Sequence, residues 1–342
     1  MKYSGFKQAV LKSGIPLEKT ISQYLLSLGL RDCGEYIYER NNKMFSVDSR
    51  AVAHADFALD KRTHLINYDF LIECKYKEPN HYWVFASYKA ARVTPSVRLE
   101  PTTIYLNFPF EKRLHKYGYR LVMKAEEFIE IYNKPLDDFY FPRSIPLTNA
   151  ATEIVDSKGF KFNPQAINEA SHQVVFALCS AIVDNTLSLI EEDMVDPAYA
   201  KIFGGNVFGW LGSLIYPVIV TTANLCVIKL NQSINRIKRS KRFNESFRQV
   251  DAVLFCVTAN TEMRTYIREQ FRKNEAKLVQ SPYFSRRNLN AALDDLFHLY
   301  NTPVLIVRLP AFKRVMKTVL KEMNEYFIEL RNFCRGKSYK YG

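Results

Sequence analysis

The sequence predicts an α/β fold, on three observations. In the second half, segments of helical spacing alternate with short apolar runs of strand character. The first half runs from one amphipathic helix into a series of strands bounded by turn residues. Composition supplies the core: 47% of the 342 residues are hydrophobic, and 12 Gly and 14 Pro are too few for a low-complexity chain.

The elements follow in order. Leu17, Ile21, Tyr24, Leu25 and Leu28 repeat at helical spacing, with Pro16 near the start and Gly29 at the end. Glu18 then falls in the first turn, where a carboxylate complements the helix dipole. Strands are expected at 35–40, 44–57, 65–77 and 82–87, with a turn over 59–64 and a break at 78–81, which makes a helix followed by a β-meander. A strand at 102–108 and a helix near 123–133 complete the first half. Pro135 and the turn-rich 141–149 suggest a boundary. Beyond it, a helix is expected at 164–191 on Ile167, Ala170, Val174, Ala177, Leu178, Ala181 and Ile182. Strands are expected at 218–229, 252–258 and 304–309, and helices at 261–277, 289–300 and 312–334.

The charge balance narrows the partners. A net charge of +13 favours a polyanion, nucleic acid before an anionic membrane surface. Residues 236–242, RIKRSKR, hold five Lys or Arg in seven positions, which reads either as a solvated face or as a phosphate-contact patch. The six cysteines form no C-x-x-C pair and mostly lie in apolar runs, so they read as reduced buried thiols in the cytoplasm. The uncharged stretch 202–228 is long enough to span a bilayer. Its glycines and its β-branched half, VIVTTANLCVI, instead suggest a loop followed by a buried strand or hairpin, with no membrane partner.

The chemistry centres on 70–77, FLIECKYK. Side chains alternate along a strand, so Phe70, Ile72, Cys74 and Tyr76 share one face. Glu73 and Lys75 then share the other, about 7 Å apart. One carboxylate holds a divalent cation poorly, since Mg²⁺ takes hard oxygens from carboxylate, water and phosphate. A second acid is therefore expected on the neighbouring strand. Asp48 interrupts the apolar residues Phe45, Val47 and Ala51 of 45–51, and Asp is a poor strand former; Asp56 and Asp69 compete for the role. A metal held by carboxylates neutralises a phosphoryl group and positions water, and a neighbouring Lys adds a point charge. Structurally, Glu73 and Lys75 could equally be a cross-strand ladder on a wet face. The sequence shows no paired zinc ligands, phosphate loop or nucleophile elbow.

Asp48 followed by 73-ECK-75, after a helix bearing Glu18, resembles the PD-(D/E)xK nuclease superfamily, the restriction-endonuclease-like fold. The resemblance covers about residues 14–90. It implies a mixed sheet flanked by helices within residues 1–140, and leaves 150–342 as an α/β accessory half for substrate recognition, dimerisation or partner binding. It implies Mg²⁺ or Mn²⁺ on Asp48 and Glu73 with help from Glu18, and Lys75 activating the attacking water. The expected activity is hydrolysis of DNA, with RNA as the other candidate substrate, in prokaryotic defence or DNA processing. A homodimer and a targeting or ATPase partner protein fit the same picture. Lys77, Lys89, Arg92, Arg236, Lys238, Arg239, Lys241 and Arg242 are the expected backbone contacts. The alternative is a catalytically silent module of the same fold that binds nucleic acid or protein.

Overall fold

The computed structural model describes residues 3–59, 62–87, 102–103, 145–157, 159–195, 208–229, 232–258, 261–276 and 301–321. Helix α1 (Tyr3–Lys12) leads into α2 (Ile15–Ser27) through Gly14, whose φ of 83° suits glycine. Pro16 lies in the first turn of α2, Gly29 takes the left-handed conformation after it, and Leu17, Ile21 and Leu25 are buried, as their spacing requires.

Next come β1 (Arg31–Asp32), β2 (Tyr36–Arg40), β3 (Lys43–Val47), β4 (Ser49–Leu59), β5 (Arg62–Lys75), β6 (His81–Ser87) and β7 (Thr102–Thr103). The single strand expected over 44–57 is two. β3 folds onto β2 as a separate hairpin around Asn41 and Asn42, both at positive φ, while β4 pairs with β5. The turn expected over 59–64 is tighter, because pairing continues to Leu59 and Arg62. Of the strand expected at 102–108, β7 is the described part. The helices expected at 123–133 and 289–300, and Pro135, lie outside the described residues.

The second half supplies β8 (Leu147–Ser157), β9 (Gly159–Asn163), α3 (Ala166–Val195), β10 (Phe208–Thr221), β11 (Asn224–Ile228), α4 (Ile234–Arg239), α5 (Phe243–Ser246), β12 (Phe247–Val250), β13 (Ala252–Thr258), α6 (Thr261–Lys273), β14 (Asn301–Arg308) and α7 (312–321). The polar composition of β8, with Thr, Asn, Glu and Asp, hid it among turn signals. The loop expected before 218 is already strand from Phe208. Residues 208–228 thus form β10 and β11, and no membrane helix lies there. The stretch of α3 from Ala166 to Asn185 is long and apolar enough to cross a bilayer, but 67% of it is buried inside the protein.

These strands build one large mixed sheet in the order β1-β4-β5-β10-β14-β13-β8-β6-β11-β12, with β7 beside β10 and β9 beside β8. The expected meander fails at β6. It leaves β5 and pairs antiparallel with β8 and parallel with β11. Strands from both halves of the chain therefore interleave: β5 runs parallel to β10, and β8 and β11 flank β6.

The connections force the sheet to coil. β10 ends at Thr221 and β11 starts at Asn224, three residues later, a reach of about 10 Å. Four strands lie between them in hydrogen-bond order, which in a flat sheet would separate them by about 24 Å. Coiling brings β11 back to the end of β14, where Arg308 Nη2 donates to Asn224 Oδ1 at 3.3 Å. In effect the parallel pair β5–β10 runs on into the parallel pair β6–β11.

Two cores cover the two faces. On one, α3 lies against Leu71, Trp83, Phe85, Ile219 and Phe255. On the other, α2 and α7 lie against Phe70, Ile72, Cys74 and Val218. β5 is thus apolar on both faces, the pattern of a strand inside a covered α/β sheet. Phe176 of α3 is buried and packs edge-on to Tyr266 of α6 at 5.4 Å. Phe176→Ala should cost roughly 3–5 kcal/mol, read from urea unfolding; a loss below about 1 kcal/mol would show that α3 is not a principal core element.

Candidate functional site

The candidate site forms where β4 begins and β5 ends. Ser49 pairs with Ile72, so Asp48 falls opposite Glu73. Asp48 is not part of the ladder; its side chain substitutes for it. Asp48 Oδ2 accepts a hydrogen bond from Cys74 N at 2.5 Å. A carboxylate oxygen can accept a backbone N–H in place of a main-chain carbonyl. The pairing stops there, and β3 turns away to join β2.

Glu73 is 3% exposed. Its Oε1 pairs with Lys75 Nζ, while Oε2 is buried without a hydrogen-bond partner among the described residues. The expectation of a shared face thus holds, and the face lies under α3. Lys75 Nζ also donates to Gln173 Oε1 of α3 at 3.4 Å, and Gln173 Nε2 donates to Ser46 O of β3 at 2.7 Å. Tyr38 OH donates to Gln173 O at 3.1 Å, tying β2 to the same residue. At the neighbouring strand end, Thr221 Oγ1 donates to Lys75 O at 3.0 Å.

The carboxylates sense one another. Burial pushes the Glu73 carboxyl up to about 7, with Asp48 adding to the rise and Lys75 opposing it. Burial also raises Asp48, against the Cys74 N–H and Lys75. Glu18 rises through burial and through the charges of Asp48 and Glu35. Glu18 thus reaches this charge cluster from α2, and Glu35, just before β2, joins it. The other two acids stand apart. Asp69 is 1% exposed and is held by Arg50 Nε at 3.0 Å to each oxygen. Asp56 pairs with Leu65, eight residues before Glu73, or about 26 Å along the strand.

The arrangement fits a hard dication. An orphaned buried carboxylate oxygen beside a second acid gains from a positive charge, and a hard dication supplies one as a proton does. Among the described residues, no three His, Cys, Asp or Glu side chains stand ready-made as a metal cluster. Water and a ligand oxygen would complete the shell.

The expected backbone contacts divide. Lys77 Nζ pairs with buried Glu153 of β8 at 2.7 Å; the same oxygen accepts from Trp83 Nε1 at 3.0 Å and lies 3.1 Å from His81 Nδ1. Lys77 is therefore engaged by the fold, and Trp83 is fully buried core. Lys89 and Arg92 lie outside the described residues. Arg236, Lys238 and Arg239 lie on α4, which buries none of its residues, and Lys241 and Arg242 follow it, exposed. Among the described cysteines none is in a disulfide; Cys74, Cys179, Cys226 and Cys256 are buried, and Cys33 is exposed. Sequence reading missed Gln173, Glu35 and Glu153. Gln173 alone left a signal, a polar residue beside the apolar stripe of its helix.

Compared with known proteins, the chain matches no family model, no curated protein and no solved structure.

Glu73 sets a pH dependence. Its folded value of about 7 lies above the ordinary 4.5. The stability it contributes is complete below about 4.5 and is lost as pH rises through about 7. Chelated protein should lose melting temperature between about pH 5 and 8, and Glu73→Gln should flatten that slope. Parallel slopes in calorimetry would refute the assignment.

Proposed function

We propose that the protein is a metal-dependent nuclease that hydrolyses phosphodiester bonds of DNA, built on a restriction-endonuclease-like version of its mixed sheet and acting in the cytoplasm. One observation carries the reading. Glu73, buried with a free oxygen, faces Asp48 across two paired strands and is joined to Lys75 on the same side of the sheet. That is one more carboxylate than a simple ion pair needs: Lys75 acts on both Asp48 and Glu73.

Asp48 and Glu73 would hold Mg²⁺ or Mn²⁺, with Glu18 nearby. When bound, the ion would neutralise charge on the scissile phosphate and lower the pKa of a water. The chain's own residues do the rest. Lys75 is held by Glu73 and Gln173, and supplies a positive charge and a proton route beside the phosphate. The Cys74 N–H fixes Asp48 through its Oδ2. The two strand ends are pinned together by Thr221, which keeps Lys75 in place without a loop of its own. The exposed cations of α4 supply charge for the nucleic-acid backbone.

A second reading is supported by one observation. With no three-ligand cluster ready among the described residues, the protein could be a silent module of the same fold that binds nucleic acid or protein. The same experiment separates the two. Purified protein is incubated with plasmid, single-stranded DNA and RNA, in Mg²⁺, Mn²⁺ or chelator. Cleavage should require metal and fall by at least about a hundredfold in Lys75→Ala and Glu73→Ala. Equal cleavage by wild type and Lys75→Ala would reject the nuclease assignment, and binding without cleavage would favour the silent module.

A further inference from the structure

The excursion between β11 and β12 is strongly basic. Residues 229–246 contain six Lys or Arg and a single acid, Glu245. α4 has no buried residue, so no packing need explains its presence. Glu245 is already used within the segment: its Oε2 accepts from Lys241 N at 2.9 Å. No acidic side chain among the described residues pairs with Lys238, Arg239, Lys241 or Arg242. A cationic surface of this kind is complementary to a phosphate backbone.

One apolar feature sits among these charges. Phe243 is 53% exposed, directly after Arg242. Its ring stacks on Phe247, with centroids 5.2 Å apart and planes at 21°. Phe247 begins β12, which pairs with β11, so the inner ring is anchored in the sheet and the outer ring is held flat against it. A solvated loop would gain nothing from an exposed aromatic face beside Arg242. A base does, because stacking needs a π-face and neighbouring cations hold the backbone.

We propose that α4, α5 and the start of β12 form a binding platform for unpaired nucleic acid, with a base stacking on Phe243 and phosphates held by Lys238, Arg239, Lys241 and Arg242. A duplex offers its phosphates but hides its base faces, so the platform selects single-stranded or frayed DNA or RNA. An anionic membrane fits less well, since an interfacial helix needs a broad apolar face and α4 carries just Ile234 and Ile237. The platform also lies along the chain from the candidate site. β11 starts beside Thr222, whose hydroxyl holds the backbone of Lys77, and runs about 13 Å to the platform side. The inference deepens the proposed function by naming the form of the substrate, and rests on it only in that the strand held is the strand cut.

Binding is measured by fluorescence anisotropy in chelator, which keeps it independent of cleavage. The probes are a labelled oligothymidylate of about 20 nucleotides and a duplex of equal length. Oligothymidylate should bind tighter than duplex at equal salt. Phe243→Ala should weaken oligothymidylate binding about five- to a hundredfold and leave duplex binding nearly unchanged, while Phe243→Trp keeps the preference. Unchanged circular dichroism and melting temperature confirm that the half-exposed ring is not a core residue. Equal binding to both probes, or no effect of Phe243→Ala, overturns the proposal. So does Phe243-dependent sedimentation with phosphatidylserine vesicles when neither oligonucleotide binds. Intact oligothymidylate binding without cleavage in Mg²⁺ or Mn²⁺ leaves the platform standing and rejects the nuclease reading.

Discussion

A single hydrogen bond organises the centre of the molecule. When Asp48 Oδ2 takes the Cys74 N–H, a side chain occupies the place of a main-chain carbonyl. Three consequences follow from that substitution. The ladder between β4 and β5 ends there, so its register is fixed at one end. The chain before Asp48 is released and pairs elsewhere, as β3 with β2. The carboxylate is also locked opposite Glu73. Remove the carboxylate, and the amide of Cys74 is left buried and unsatisfied at a cost of about 1–3 kcal/mol.

Around that point the protein tolerates charges that folding alone would disfavour. Burying a carboxylate without full compensation is unfavourable, and Glu73 has only half its hydrogen-bonding capacity met. Arg50 and Asp69 show the ordinary solution a short way down the same strands: a bidentate pair, with Asn185 Oδ1 accepting from Arg50 Nη2 at 3.1 Å. Glu153 shows it again, with three donors about one oxygen. In both, several donors hold the acid, whereas Glu73 Oε2 has no partner among the described residues. The rise of Glu73 toward neutrality follows from burial and the neighbouring Asp48, which the single cation Lys75 offsets in part.

The parts of this arrangement that depend on local period were legible in the sequence. Alternation along 70–77 placed Phe70, Ile72 and Cys74 against one core and set Glu73 and Lys75 on the other face. The spacing of Leu17, Ile21 and Leu25 placed Glu18 in a first turn. Poor strand propensity singled out Asp48, although the reason, a ladder hydrogen bond from its side chain, belongs to the folded state. What depends on long-range pairing was not legible. β6 reads as the next strand of a meander and lies instead across the sheet, because hydrogen-bond partners are chosen by the whole fold. β8 has too polar a composition to announce itself, and with it Glu153 went unseen. Gln173 becomes meaningful only once α3 lies across the end of β5, bridging Lys75 and Ser46.

The coil of the sheet leaves a mark on which changes of length the chain can absorb. Between β10 and β11 stand two residues, Thr222 and Ala223, and the hydroxyl of Thr222 both accepts from Lys77 N and donates to Lys77 O at 2.6 Å. That crossing is stitched to the parallel crossing from β5 to β6. One inserted residue would slip a parallel pair on one side or the other, and a slip of one turns every side chain to the opposite face. The hairpins and excursions at the periphery carry no such constraint, so the doubled crossing is the fixed-length joint of this sheet.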